Sequence, residues 1–239
     1  MKYKKKLFFY FFEVFILFLL YHFIFESKNK IISLENGSNF IKDAIDNTVN
    51  TSGYLWYNNT ATIYTLLFLF LLNSNLIKLN VQNLVRISRK NIGNKNLLNS
   101  LLCSCLYSFL FCLSHLFFMY TNFSKNVLSD INFLRIFILQ FFSYVLYYML
   151  TSQIMLLIYY FTLNCIFSSI LTFIINASLM FAYKILHINT PIQSTLVCTK
   201  YYTLNMKETN ITYNVFMLIP VIAIFAFLNK TAIKNRDVL

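Results

Sequence analysis

The side chains with the capacity for chemistry are three histidines, five cysteines and one carboxylate, Glu13, that lies inside an apolar block. An ionisable group in such a block is a functional candidate, but Glu13 follows Lys6 by about two helical turns, close enough to an interface to find a partner there. A helical zinc hydrolase site needs two histidines one turn apart with a glutamate between them. His22, His115 and His187 are far apart and carry no such motif. A phosphate cradle needs clustered glycines followed by a lysine, whereas Gly37, Gly53 and Gly93 are isolated. Cys103 and Cys105 are two apart on an expected helix and point to different faces. Cys103, Cys105, Cys112 and Cys165 all fall in apolar blocks and read as packed thiols. The sequons at Asn36, Asn50, Asn58, Asn122 and Asn210 matter only in a eukaryotic secretory pathway. The expectation is therefore a chain that is not an enzyme and has no catalytic, cofactor-binding or metal-binding set of its own.

What must position the remaining polar residues is a membrane. Of the 239 residues, 58% are hydrophobic and only 12% charged, which is far from the composition of a water-soluble domain. The apolar residues come in blocks close to the roughly 20 that cross a hydrocarbon core as a helix. The expected fold class is all-α integral membrane, a single transmembrane domain of about six spans near 7–25, 61–77, 97–120, 133–160, 163–185 and 214–228. Polar segments at 26–60 and 186–213 lie on one side, and a basic segment at 78–96 lies on the other. Lys2 to Lys6 followed by Leu7 to Phe25 resembles a secretory signal, but the apolar stretch is long and no small-residue cleavage site precedes Glu26, so an uncleaved first span is expected. The net charge of +12 comes from lysines and arginines that flank spans or sit in loops, so they set topology rather than bind nucleic acid. Their distribution places both termini in the cytoplasm.

Two helix faces carry polar groups. In the fifth block Asn164, Ser168, Thr172 and Asn176 recur every four residues, and in the fourth Gln140, Tyr144, Tyr147 and Thr151 follow at four, three and four. Such faces avoid lipid. They serve either as helix–helix seams, with bonds of roughly 0.6–2 kcal/mol each, or as the lining of a path for an amphipathic substrate. In the basic segment, Val81, Leu84, Val85 and Ile92 share one helical face while Gln82, Arg86, Arg89 and Lys90 lie opposite, with Gly93 placed to end the helix. This reads as a short cytoplasmic amphipathic helix that rests on anionic headgroups or docks into a partner.

Six spans with both ends inside, a Val-Arg-Ile-Ser-Arg-Lys helix after the second span and polar outer segments before the second and last spans together resemble a type-2 ABC exporter permease, in particular the small bacteriocin-immunity or peptide-export permeases of low-GC Gram-positive bacteria. The resemblance is architectural, and its motif-like part is Arg86 to Lys90. It implies a bacterial plasma membrane location and a second permease half. It also implies a separate ATPase subunit that binds the ATP and docks on Val81, Leu84, Val85, Arg86, Arg89 and Lys90, and a short re-entrant helix before the last span, which Thr190 as N-cap and Pro191 as first helical residue fit. The chain departs from the family in its short segment ahead of the first span. The first rival reading is a non-catalytic scaffold or assembly subunit of a larger membrane complex, and the second is a membrane enzyme, which would need Glu13, His22 or His115 to converge on one cavity.

The topology has a direct test. A cysteine introduced at Gly37 or Ser52 is expected to react with an impermeant maleimide on intact cells, and reaction only after the membrane is opened would invert the orientation.

Overall fold

The computed structural model describes residues 59–80, 83, 87–186, 190–202 and 204–235, together with Ile16, Ala44 and Ile45. The expected first span, most of the segment 26–60, Glu13, His22, His187 and the residues Val81, Gln82, Leu84, Val85 and Arg86 lie outside the described residues.

Among the described residues the chain is all-helical, with no strands. A π-helical turn at Thr60–Tyr64 leads into α1 (Thr65–Asn75), and α2 (Arg89–Asn122), α3 (Lys125–Asp130), α4 (Phe133–Thr162) and α5 (Cys165–Leu186) follow. A 3₁₀ turn (Pro191–Thr195) and α6 (Val197–Tyr202) form a short helical segment broken at Leu196, called the hairpin below, and α7 (Glu208–Phe216) and α8 (Leu218–Asn235) complete the described fold. Four stretches are long and apolar enough to cross a membrane: Arg89–Thr121, Phe133–Thr162, Cys165–Leu186 and Glu208–Lys234. Thr60–Asn75 is apolar but shorter, about 24 Å at ~1.5 Å per residue.

The helix ends follow from local chemistry. Ser88 takes an extended backbone and its hydroxyl accepts from Asn91 N–H at 3.4 Å, so α2 begins at Arg89. The third span therefore starts eight residues before the expected Leu97, Arg89 and Lys90 form its first turn, and Gly93 lies inside it rather than ending a preceding helix. Between α4 and α5 the turn is as tight as the sequence suggests. Leu163 takes a left-handed backbone at φ 55° and its N–H bonds Tyr159 C=O at 2.8 Å, the geometry usually given to glycine at a helix C-terminus. The break between α7 and α8 falls at Met217, where Pro220 has no N–H to return to Phe216.

α4 is the centre. More than half of its spanning stretch, 56%, is buried, against 28% for α5 and 17% for the last span, and α1, α2, α5, α6, α7 and α8 all pack on it. The buried faces of such a helix must be apolar or have their polar groups partnered. Around α4 an aromatic cluster joins α1 and α2: Phe68, Tyr107 and Tyr148 lie with ring centroids 4.9–5.4 Å apart, and Phe111 bridges Tyr64 and Tyr144 at 4.8 Å each. Such edge-on pairs contribute about 0.5–1.5 kcal/mol each beyond burial.

After α1 the backbone becomes extended at Leu76 and has no regular structure through Asn80, and its backbone groups need partners. Asn96 of α2 supplies two: its Oδ1 accepts from Ile77 N–H at 2.9 Å and its Nδ2 donates to Ile77 C=O at 3.1 Å. Tyr159 supplies a third, its hydroxyl accepting from Leu79 N–H at 2.6 Å. Asn96→Leu strands both groups of Ile77 and is expected to cost about 2 kcal/mol or more, read as a lower midpoint of thermal helix loss in detergent. Asn99→Leu, which loses one bond to Asn75 C=O, should cost about half as much. Equal midpoints for wild type and Asn96→Leu would show that this segment is not held this way.

Candidate functional site

The polar residues expected to form two continuous faces are divided among four jobs. Tyr147, Thr151, Thr172 and Asn176 do meet. The Tyr147 hydroxyl donates to Asn176 Oδ1 at 2.9 Å, Thr151 Oγ1 reaches the same oxygen at 3.5 Å, and Asn176 Nδ2 donates to Thr172 C=O at 2.9 Å. All four are buried, so this seam is closed by its own hydrogen bonds. Ser168 is also buried but bonds locally, to Asn164 C=O at 2.6 Å and with Thr162 Oγ1 at 3.1 Å. Asn164 is exposed and caps α5, its Oδ1 accepting from Ile166 and Phe167 N–H at 3.0 and 3.1 Å.

Gln140 takes a different role. Its Nε2 donates to Thr195 C=O at 2.6 Å and its Oε1 accepts from Cys198 N–H at 3.1 Å, while the neighbouring Ser143 hydroxyl donates to Ser194 C=O. These are the backbone groups left open where the 3₁₀ turn gives way to α6. A broken helix at membrane depth is tolerated only where protein satisfies it, and Gln140 and Ser143 sit about 10–15 Å along α4 from its start. Thr190 and Pro191 do begin the short helix; it is 3₁₀ rather than α, and the Thr190 side chain makes no capping bond. Tyr144 points into the aromatic cluster against Phe111.

A third polar contact was not anticipated. Gln153 of α4 donates to Ser100 Oγ of α2 at 3.0 Å and accepts from Asn229 Nδ2 of α8 at 2.9 Å through Oε1 and 3.0 Å through its backbone carbonyl. One side chain thus ties three helices. The signal was present in part: Asn96, Ser100, Ser104 and Ser108 recur every four residues on α2 and are all fully buried, a small-residue seam that lets helices approach. Asn229 gave no such signal, because Lys230 beside it made it read as a span end.

His115 is buried and stacks on Phe137 at 5.6 Å. Among the described residues no three of His, Cys, Asp and Glu come together. Arg89 and Lys90 line a groove of about 680 Å³ with Ser88, Gly93, Asn94, Lys230, Ile233 and Lys234. No family model, curated protein or solved structure matches the chain. What the fold itself establishes is an all-α, membrane-type arrangement built on α4.

The division of roles predicts distinct variants. With the remaining cysteines replaced by alanine, Gln140→Leu is expected to speed labelling of the buried Cys198 by a permeant maleimide roughly tenfold, the effect of losing about 1–2 kcal/mol of hairpin attachment. Asn176→Leu should insert normally, loosen α4 from α5 and leave Cys198 labelling unchanged. Equal labelling in both variants would mean that Gln140 does not hold the hairpin.

Proposed function

We propose that this chain is the permease half of an ATP-driven exporter for an amphipathic or peptide-like substrate, with ATP bound and hydrolysed by a separate subunit and a second half, identical or not, completing the pathway. The observation that carries the reading is the broken-helix hairpin at 191–202, seated against α4 by Gln140 and Ser143 and followed directly by the last apolar stretch. The alternation of helix direction adds support. α2 and α5 run opposite to α1, α4 and α7–α8, so the hairpin lies at one end of the bundle. Lys125, Arg135, Lys184, Lys200 and Lys207 lie at the hairpin end together with Asp130 and Glu208, while Lys78, Arg89, Lys90, Lys95, Lys230 and Lys234 lie at the other. In the proposed orientation this basic end is cytoplasmic, as the bias of lysine and arginine favours, and the hairpin is outside.

A second reading has its own observation. The seam of Tyr147, Thr151 and Asn176 is closed and buried, as helix-packing contacts are, which favours a non-catalytic scaffold or assembly subunit in a larger membrane complex.

The segment ahead of α2 separates the two. If an ATPase docks there, its apolar face dominates the interface, since buried anchors contribute far more than exposed charges. Val85→Asp is then expected to lower ATPase co-purification and substrate efflux about tenfold or more, and Arg86→Gln much less. Unchanged ATPase retention in Val85→Asp, or recovery of the wild type with a large complex that lacks an ATPase, would reject the permease and leave the scaffold.

A further inference from the structure

The groove at the basic end is built by two antiparallel helix ends. Arg89 and Lys90 come from the first turn of α2, and Lys230 and Lys234 from the last turns of α8, around a volume of about 680 Å³. The described lining contains no carboxylate. Gly93 forms the floor: a Cβ there would meet Ile233 at 3.3 Å, so the missing side chain lets the two helices close beneath the cations. The first turn of α2 offers backbone N–H donors to an anion, and the C-terminal dipole of α8 holds Lys230 and Lys234 at the same end. Lys90, Lys230 and Lys234 face one groove, and an anion bound there would offset their mutual repulsion.

The helix faces that leave the groove say which anion. On α8, Lys234, Lys230, Phe227 and Ile224 follow at helical spacing, and Phe227 and Ile224 are 66% and 60% exposed. On α2, Lys90 and Asn94 are followed by Leu98, 56% exposed. A soluble phosphate uses only the cations. A phospholipid uses both parts, its phosphate in the groove and an acyl chain along the apolar faces below. We infer that this groove binds an anionic phospholipid by its phosphate, in the manner of basic pockets between membrane helices at the charged leaflet. The site shares Arg89 and Lys90 with the proposed ATPase contact, but its other cations, Lys230 and Lys234 of α8, have no part in that reading.

The test uses the full chain in nanodiscs of phosphatidylcholine mixed with phosphatidylglycerol, followed by native mass spectrometry of the lipid retained after detergent transfer. Lys230→Gln/Lys234→Gln is expected to reduce retained phosphatidylglycerol about tenfold relative to wild type, with phosphatidylcholine unchanged. Lys78→Gln/Lys95→Gln removes the same charge from the same end outside the groove and is expected to retain wild-type lipid. Equal loss in both double variants would mean diffuse surface attraction, and loss in neither would mean no site; either overturns the proposal. Displacement of the lipid by millimolar inorganic phosphate or glycerol phosphate would make this a free-anion site and overturn the lipid assignment. Because the variants leave Val85 and its neighbours intact, ATPase co-purification in them reports separately on the permease reading.

Discussion

At four places where the described backbone leaves regular helical pairing, a side chain from another turn or helix takes up a freed group. Asn96 and Tyr159 hold the irregular stretch after α1, and Gln140 and Ser143 hold the hairpin break. Tyr107 donates to Tyr64 C=O at 2.7 Å where the π turn meets α1, and Tyr202 donates to Ile131 C=O at 2.9 Å ahead of α4. In hydrocarbon an unpaired backbone group costs several kcal/mol, with no water to replace the partner. This requirement decides which helices must be neighbours. α4 carries half of these partner side chains, Tyr159, Gln140 and Ser143, so it sits in the middle and the other helices are arranged around it.

The aromatic cluster and the polar bonds solve different parts of one problem. Lipid tails are as apolar as leucine, so apolar contact alone gives little drive for helices to associate in a membrane. Rings of Tyr64, Phe68, Tyr107, Phe111, Tyr144 and Tyr148 give α1, α2 and α4 dense, shaped contact. The amides of Gln153 and Asn229 give α8 a fixed register on α4 where its own burial is slight. Remove the amides and α8 keeps its apolar surface but loses the contact that distinguishes α4 from lipid.

How far the sequence revealed this depends on the range of each interaction. α4 and α5 were placed within two or three residues, because apolar length and the tight turn at Leu163 are local properties. The start of the hairpin was also legible, since Thr190 and Pro191 are themselves the signal. The start of α2 was not, because Arg89 and Lys90 weighed against a membrane helix although Ser88 was available as its cap. The recurring polar residues of α4 and α5 marked the Tyr147–Asn176 contact but also suggested continuity that does not exist: Asn164 caps, Tyr144 joins the aromatic cluster and Gln140 holds the hairpin. Gln153 and Asn229 are 76 residues apart, and nothing local to either one names the other.

The closed seam also constrains any transport by this chain. A path opened between α4 and α5 would leave the Tyr147 hydroxyl and Asn176 Oδ1 without each other in an apolar medium, a cost of several kcal/mol at each opening, while Thr151 and Thr172 keep their bonds to Tyr147 C=O and Ser168 C=O within their own helices. The surfaces with no such cost are those already unpartnered by protein. α5 presents Ile166, Ile170, Ile174 and Ile185, and α8 presents Ile219, Ile224 and Phe227, all exposed. Under the permease proposal, a substrate route that leaves this packing intact would run along the outer faces of α5 or α8 and be closed by a second chain or by lipid. The polar residues at the centre of the bundle fix the helices to one another.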